Sequence, residues 1–189
     1  MTAATADGAT RRDFLYVASG AMGAVGVAAV AWPFIDQMNP SSAALALSSV
    51  EVDISTIVEG QGVTVKWRGQ PLFVRHRTPK EIAESRAVDV ASLPDPVAEN
   101  SALPSDAPAT DANRTIKPEW FVSSGVCTHL GCTPTISTPT DVQGEYGGWL
   151  CHCHGSQYDT AGRIRKGPAP RNLQVPVYSF LSDTRIKVG

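Results

Sequence analysis

The chain has 189 residues and a mass of 20.0 kDa, enough for one domain and a tail. Its formal charge is −2, from 16 basic and 18 acidic residues, and gives no support for nucleic-acid binding, which needs a basic excess to release counterions. Gly 16 and Pro 14 exclude collagen and global disorder, while the low charged fraction of 18% has one source, a stretch from Phe14 to Ile35 with no charge at all.

That stretch is long enough to cross a bilayer core, which takes ~20 apolar residues as a helix. Thr10-Arg11-Arg12-Asp13-Phe14-Leu15 precedes it, a twin-arginine pattern. The two arginines stay in the cytoplasm by the positive-inside rule, and no Lys or Arg follows the apolar stretch until Lys66. The expected topology is a single pass, with residues 1–12 cytoplasmic, an anchor over 13–36, and everything after it outside. Ala44-Leu45-Ala46 offers a signal-peptidase site, but the apolar run exceeds the usual ~7–15 residues of a cleaved signal. Trp32 near the outer end suits an interfacial anchor, and Pro33 falls where the helix kinks or begins to end.

Residues 37–49 are rich in Ser and Ala and carry no charge, which marks a linker or hinge. The head, 50–189, reads as mainly β. Val50–Ile54 and Val63–Trp67 alternate; Arg68-Gly69-Gln70-Pro71 has turn chemistry and leads into Leu72–Arg75. Thr78-Pro79-Lys80-Glu81 opens a short helix with a capping box and proline at the first helical position. Residues 87–113 hold five acids, four prolines and no base, and read as a long surface excursion with little regular structure. A strand resumes at Trp120-Phe121-Val122, and Val175–Tyr178 with Ile186–Val188 reads as a last hairpin. The expected fold is an antiparallel β-sandwich head with a small cluster-binding part at about 120–172, preceded by one transmembrane helix.

All four cysteines and three of the four histidines lie between 127 and 154, in Cys127-Thr128-His129-Leu130-Gly131-Cys132 and Cys151-His152-Cys153-His154-Gly155-Ser156. Four-ligand zinc is overfilled by up to seven soft donors, and two plain disulfides leave the histidines unexplained. A two-iron, two-sulfide cluster held by two Cys and two His fits better, using Cys127 with His129 and Cys151 with His154. Cys132 and Cys153 are then left over, one per loop, and can tie the loops together in an oxidising compartment.

CTHLGC, CxCHGSxYD and GRIRKGPAP together resemble the Rieske iron–sulfur subunit of the bacterial quinol–cytochrome c oxidoreductases, the cytochrome bc complexes. The resemblance covers almost the whole chain, and the acidic excursion is similar to an insertion in purple-bacterial forms. It implies one Rieske 2Fe-2S cluster with Cys127 and Cys151 on the inner iron and His129 and His154 on the outer. It also implies a Cys132–Cys153 disulfide, hydrogen bonds from Ser156 and Tyr158 to sulfur, and Gly167–Pro170 as a third loop over the cluster. The resemblance also implies that Leu130 shields the cluster and contacts the quinol pocket. His154, with His129 in second place, is the expected site of proton-coupled electron acceptance. Implied partners are a cytochrome b subunit, a c-type cytochrome subunit and ubiquinol, in a dimeric complex of the bacterial inner membrane with the head on the periplasmic side. The implied activity takes an electron from ubiquinol, releases its proton to the medium and contributes to proton translocation, in a respiratory or photosynthetic chain.

Two positions depart from the family pattern: His152 stands where proline is usual, and Gln157 where histidine is frequent. An exposed His152 without a role is the plain reading of the first. The ligand set itself explains a high potential, because two neutral imidazoles in place of two thiolates leave the oxidised cluster uncharged and easier to reduce. Such centres span about −150 to +300 mV, against about −400 mV for all-Cys plant-type clusters. A membrane-anchored Rieske ferredoxin-type carrier is the alternative. A Rieske oxygenase is disfavoured, since only His76 and His152 remain for a second iron site.

Overall fold

The computed structural model describes residues 10–46 and 48–189. The first nine residues of the expected cytoplasmic segment, and Leu47 of the linker, lie outside the described residues. The chain divides into two compact units, Met1–Leu45 and Ala46–Gly189.

The first unit is dominated by α1 (Arg11–Asp36). Thr10 caps it with a complete box: the Thr10 hydroxyl accepts from Asp13 N–H at 3.2 Å, and the Asp13 carboxylate accepts from Thr10 N–H at 2.9 Å. At ~1.5 Å per residue its 26 residues reach ~39 Å, more than the ~30 Å of a bilayer core. None of its residues is buried, and its length and composition suit a membrane span. Pro33 is accommodated inside the last turn, where it disrupts little of the ladder. A short helix α2 (Ser42–Ala46) follows within the expected linker, with Ser41 Oγ accepting from Ala44 N–H at 3.2 Å.

The second unit contains three antiparallel sheets. β1 (Val50–Asp53) pairs with β10 (Arg185–Val188), which pairs with β9 (Tyr178–Ser182); Val50 lies opposite Val188 and Val52 opposite Ile186. β2 (Gly62–Trp67), β3 (Gln70–His76) and β4 (Trp120–Ser124) form a meander. β5 (Thr135–Ile136), β6 (Gly147–Cys151), β7 (Ser156–Asp159) and β8 (Ile164–Lys166) form the third sheet. The last hairpin starts later than the sequence suggests: Val175-Pro176-Val177 leads into β9 rather than forming its first half, in keeping with the missing N–H of Pro176.

One core joins the sheets. Trp149 of β6 is fully buried, stacked on Phe73 at 5.5 Å and tilted against Phe121 at 5.4 Å, so the third sheet packs on the face of the second. Val52, Ile54, Ile186 and Val188 extend the same core into the first sheet. α3 (Pro79–Arg86) begins with the capping box expected for it: Glu81 N–H donates to Thr78 Oγ1 and Thr78 N–H to the Glu81 carboxylate.

The excursion over 87–113 is less free than its composition suggests. It contains a 3-10 turn at Val90–Ser92, and α4 (Asp111–Arg114) closes it. Leu93, Asp95, Ala98, Ala109, Asp111 and Arg114 are buried. Three arginines explain how so polar a segment is held. Arg77 grips Asp111 at 2.6 Å, and Arg163 pairs with Asp159 at 2.8 Å while donating to Ser85 O and Ala109 O. Arg114 donates to the carbonyls of Ala98, Ala161, Gly162 and Leu173. Burial pulls its guanidinium down to about 10, still charged at neutral pH. A further buried arginine, Arg75, lies outside this group and joins Ser137 O to Glu81. A buried charge is tolerable only when its donors are satisfied, and here backbone carbonyls supply most of the acceptors.

Candidate metal centre

Three loops at one end of the third sheet form the site, and the first two carry the four cysteines and three of the four histidines. The first, 127–132, is closed on itself: Cys127 N–H donates to Cys132 O at 2.8 Å and Gly131 N–H to Cys127 O at 3.0 Å. The second is the β6–β7 turn, tied by Gly155 N–H to Cys151 O at 2.9 Å, with Cys151 opposite Ser156 in the strand register. The third, Gly167–Arg171, follows β8. Gly167 has φ +102° and lies so close to the second loop that a Cβ there would sit 2.6 Å from Ser156 Cα. Only glycine permits both that conformation and that approach.

Cys132 and Cys153 are joined by a disulfide that links the first loop to the second. Cys127 and Cys151 are free thiols, each 2% exposed. The rings of His129 and His154 meet edge to face, with centroids 4.7 Å apart. His154 is exposed and His129 half-buried, and His129 Nδ1 is buried with no hydrogen-bond partner. Leu130 projects from the tip, 71% exposed. His152 is exposed on the same turn.

Tyr158, 1% exposed, stands behind the first loop. Its Oη lies 3.3 Å from Cys127 Sγ and accepts from Thr128 N–H at 3.4 Å. With the backbone N–H already donating to it, the phenol proton is available to a Cys127 thiolate. Burial and the neighbouring Cys127 sulfur push the Tyr158 phenol up, so it stays protonated and able to donate. Ser156 Oγ accepts from Ala169 N–H at 3.1 Å, which brings the third loop onto the second.

Two buried thiols side by side are a poor place for negative charge on their own. Burial pushes the Cys151 thiol up, and the adjacent Cys127 adds to the shift. A pair of thiolates here therefore needs cationic compensation, which is what iron supplies. The unpartnered, buried His129 Nδ1 is a lone pair or N–H without a protein use, and suits a metal-facing nitrogen. This donor set of buried sulfurs and adjacent imidazoles fits a cluster with mixed Cys and His ligation. The sulfurs of Cys132, Cys151 and Cys153 also lie mutually within 4.8 Å, but two of the three are joined to each other and so cannot act as thiolate ligands.

Thr128 and the buried arginines carry no recognisable motif and escape a reading of the sequence. Thr128 Oγ1 donates to Arg171 O at 2.6 Å and accepts from Arg171 N–H at 3.3 Å, clasping the first loop to the third. The spacing of the cysteines and histidines says nothing of this contact, since 43 residues separate its partners.

Comparison with known proteins agrees with the donor set. Residues 96–179 match the Rieske [2Fe-2S] domain, and residues 1–41 match the TAT signal of the ubiquinol–cytochrome c reductase Fe-S subunit. The ubiquinol–cytochrome c reductase iron-sulfur subunit of Rhodospirillum rubrum is 55% identical over 189 residues, covering 100% of this chain and 97% of that one. That of Bradyrhizobium diazoefficiens is 52% identical, covering 100% and 99%. Among solved structures, a chain of a hyperthermophilic respiratory Complex III is similar with a TM-score of 0.50 and 27% identity, covering 90% of this chain and 98% of that one. With cysteines and histidines assembled on two loops beneath a third, a Rieske domain matched across them and relatives alike from end to end, this chain belongs to the family of Rieske iron–sulfur subunits of bacterial ubiquinol–cytochrome c reductases.

Proposed function

We propose that this chain is the electron-transfer subunit of a cytochrome bc complex, taking electrons from ubiquinol and passing them to a c-type cytochrome. The observation that carries the reading is the pairing of two buried free thiols with the unpartnered His129 Nδ1, beside an exposed His154. Cys127 and Cys151 are the thiolate ligands, and His129 and His154 the imidazole ligands. When bound, the cluster supplies one-electron redox chemistry at a potential that mixed ligation raises.

The residues around it do the rest. His154 presents its free ring nitrogen at the tip, where it can accept a hydrogen bond from a quinol hydroxyl and take the proton. Leu130 supplies an apolar surface at the same tip for the quinone pocket of the cytochrome b subunit. Tyr158 donates to Cys127 sulfur, Ser156 to sulfur on the second loop, and both favour the more negative, reduced state. The Cys132–Cys153 disulfide holds the two ligand loops in register.

α1 and the twin-arginine pattern support a membrane-anchored arrangement in the cell. Residues 1–12 are cytoplasmic, 13–36 cross the bacterial inner membrane, 37–49 tether the head, and 50–189 form a periplasmic head within a dimeric complex. The small, uncharged residues of the tether allow the head to visit first the quinol site and then the c-type haem.

The test is replacement of Cys127, His129, Cys151 or His154, one at a time, in the assembled complex. Each variant should lose the reduced-cluster electron paramagnetic resonance (EPR) signal and quinol-to-cytochrome turnover together. A full native signal in any one of them would sink the ligand assignment.

A further inference from the structure

The third loop is held from behind by the acidic excursion. Asn172, which directly follows that loop, is 1% exposed and uses its backbone N–H and both ends of its side-chain amide. Its N–H donates to Asp95 Oδ2 at 2.8 Å. Its Nδ2 donates to Val97 O at 2.7 Å and to Asp95 O at 3.0 Å, and its Oδ1 accepts from Ile164 N–H at 2.8 Å. Asp95 is itself fixed, its other carboxylate oxygen accepting from Val97 N–H at 3.0 Å. One residue on, Leu173 O is held by Arg114 at 2.7 Å.

Three residues before Asn172, Ala169 N–H meets Ser156 Oγ. A hydroxyl has one proton and two lone pairs. Ala169 occupies a lone pair, so the Ser156 proton must point away from the third loop. Ser156 is 1% exposed, so water does not compete for that proton, and Cys151 lies opposite it in the register. The direction of the proton thus depends on where Ala169 is held, and the position of Ala169 depends on the anchor at Asn172.

We propose that Asn172, locked to the turn at Asp95, is a positioning residue: it fixes the third loop so that Ala169 aims the Ser156 hydroxyl at the metal centre and raises its reduction potential. The excursion over 87–113 is then a brace for the redox site rather than a surface ornament. This rests on the function proposed above.

The experiment is an EPR-monitored redox titration of the assembled complex carrying Asn172→Ala, Asp95→Ala or Asp95→Asn, with iron content and melting temperature measured alongside. Asn172→Ala and Asp95→Ala should keep the cluster yet shift its redox equilibrium about tenfold toward the oxidised form, which is ~59 mV for one electron. Asp95→Asn keeps an oxygen to accept from Asn172 N–H and should recover most of the shift. Asp95→Ala removes only two hydrogen bonds, so it carries the test if Asn172→Ala does not assemble. A lowered melting temperature with an unchanged potential in Asp95→Ala, or the same shift in Asp95→Asn as in Asp95→Ala, would overturn the proposal. Absence of the cluster signal from the unmodified complex would instead overturn the functional reading on which it rests.

Discussion

Tyr158→Phe removes a single hydroxyl at the centre. The ring is buried in the core and phenylalanine fills the same space, so packing changes little. What disappears is the O–H aimed at Cys127 Sγ from 3.3 Å. A hydrogen bond to a charged group is worth ~1.5–3 kcal/mol. As a cluster ligand in the proposed ligation, Cys127 would be a thiolate in both redox states, so only the strengthening on reduction counts. If about half the bond energy responds to the added electron, the reduced state loses ~1 kcal/mol, which is ~40 mV at one electron. The potential should fall by that amount, while the EPR line shape changes only slightly. Thr128 N–H also loses its acceptor, so the first loop should be modestly less stable. The assay is a redox titration of the assembled complex, paired with pre-steady-state reduction of the c-type haem. A potential within ~10 mV of the parent would refute the argument that Tyr158 donates to the ligand sulfur.

Two further outcomes follow from the scaffold. Asp111 sits at 3% side-chain exposure against Arg77 at 0%; burial raises its carboxyl, but the hydrogen bond and charge of Arg77 and the Ser85 hydroxyl outweigh that and hold it below the usual carboxylate range. A depressed folded value contributes stability that is present above the unfolded pKa of ~3.9 and lost as pH falls through the folded value, so Asp111→Ala should cost ~3–5 kcal/mol at neutral pH and much less in acid, read from melts across pH 2–7 (about that range). Replacing Cys132 and Cys153 together by serine removes a cross-link with a sequence separation of 21, worth ~3 kcal/mol in loop entropy, and should lower the melting temperature of the head and loosen the cluster, as thermal scans followed by circular dichroism would report.

The cluster loops were legible because their chemistry needs rare residues at short spacing, and the structure gathers the two cysteine- and histidine-bearing loops at one end of the third sheet. The start of α3 was legible too, since Thr78 forms a capping box within four residues, whereas α1 begins at Arg11, two residues before the expected anchor, behind a Thr10–Asp13 box that the twin-arginine pattern masks. What stayed hidden was everything set by contacts across long separations. The composition of 87–113 suggests a solvated loop, because five acids and four prolines predict little burial. The arginines that reverse this lie at 77, 114 and 163, far apart in sequence, and their main acceptors are carbonyls, which every residue has. Proline-rich local structure similarly concealed Asn172, whose three side-chain bonds reach back more than seventy residues to the Asp95 turn and eight to Ile164.

The carbonyl-bound arginines also decide how the head comes apart. A proline-rich surface segment is ordinarily the first place a chain opens, and a preferred site for proteases. Here Arg114 holds Ala98 at one end of its reach and Ala161, Gly162 and Leu173 at the other, while Arg163 spans Ser85, Ala109 and Asp159. Peeling the excursion away would strand two buried guanidinium groups and the carbonyls they serve, so partial opening costs nearly as much as complete unfolding. The excursion, the β7–β8 turn and the strand-like segment beyond the third loop should exchange their amide hydrogens as one cooperative unit. Damage to Arg114 or Arg163 would then be felt at the metal loops as a change in how often the whole unit opens, an effect separate from that of the Asp95–Asn172 anchor on the third loop.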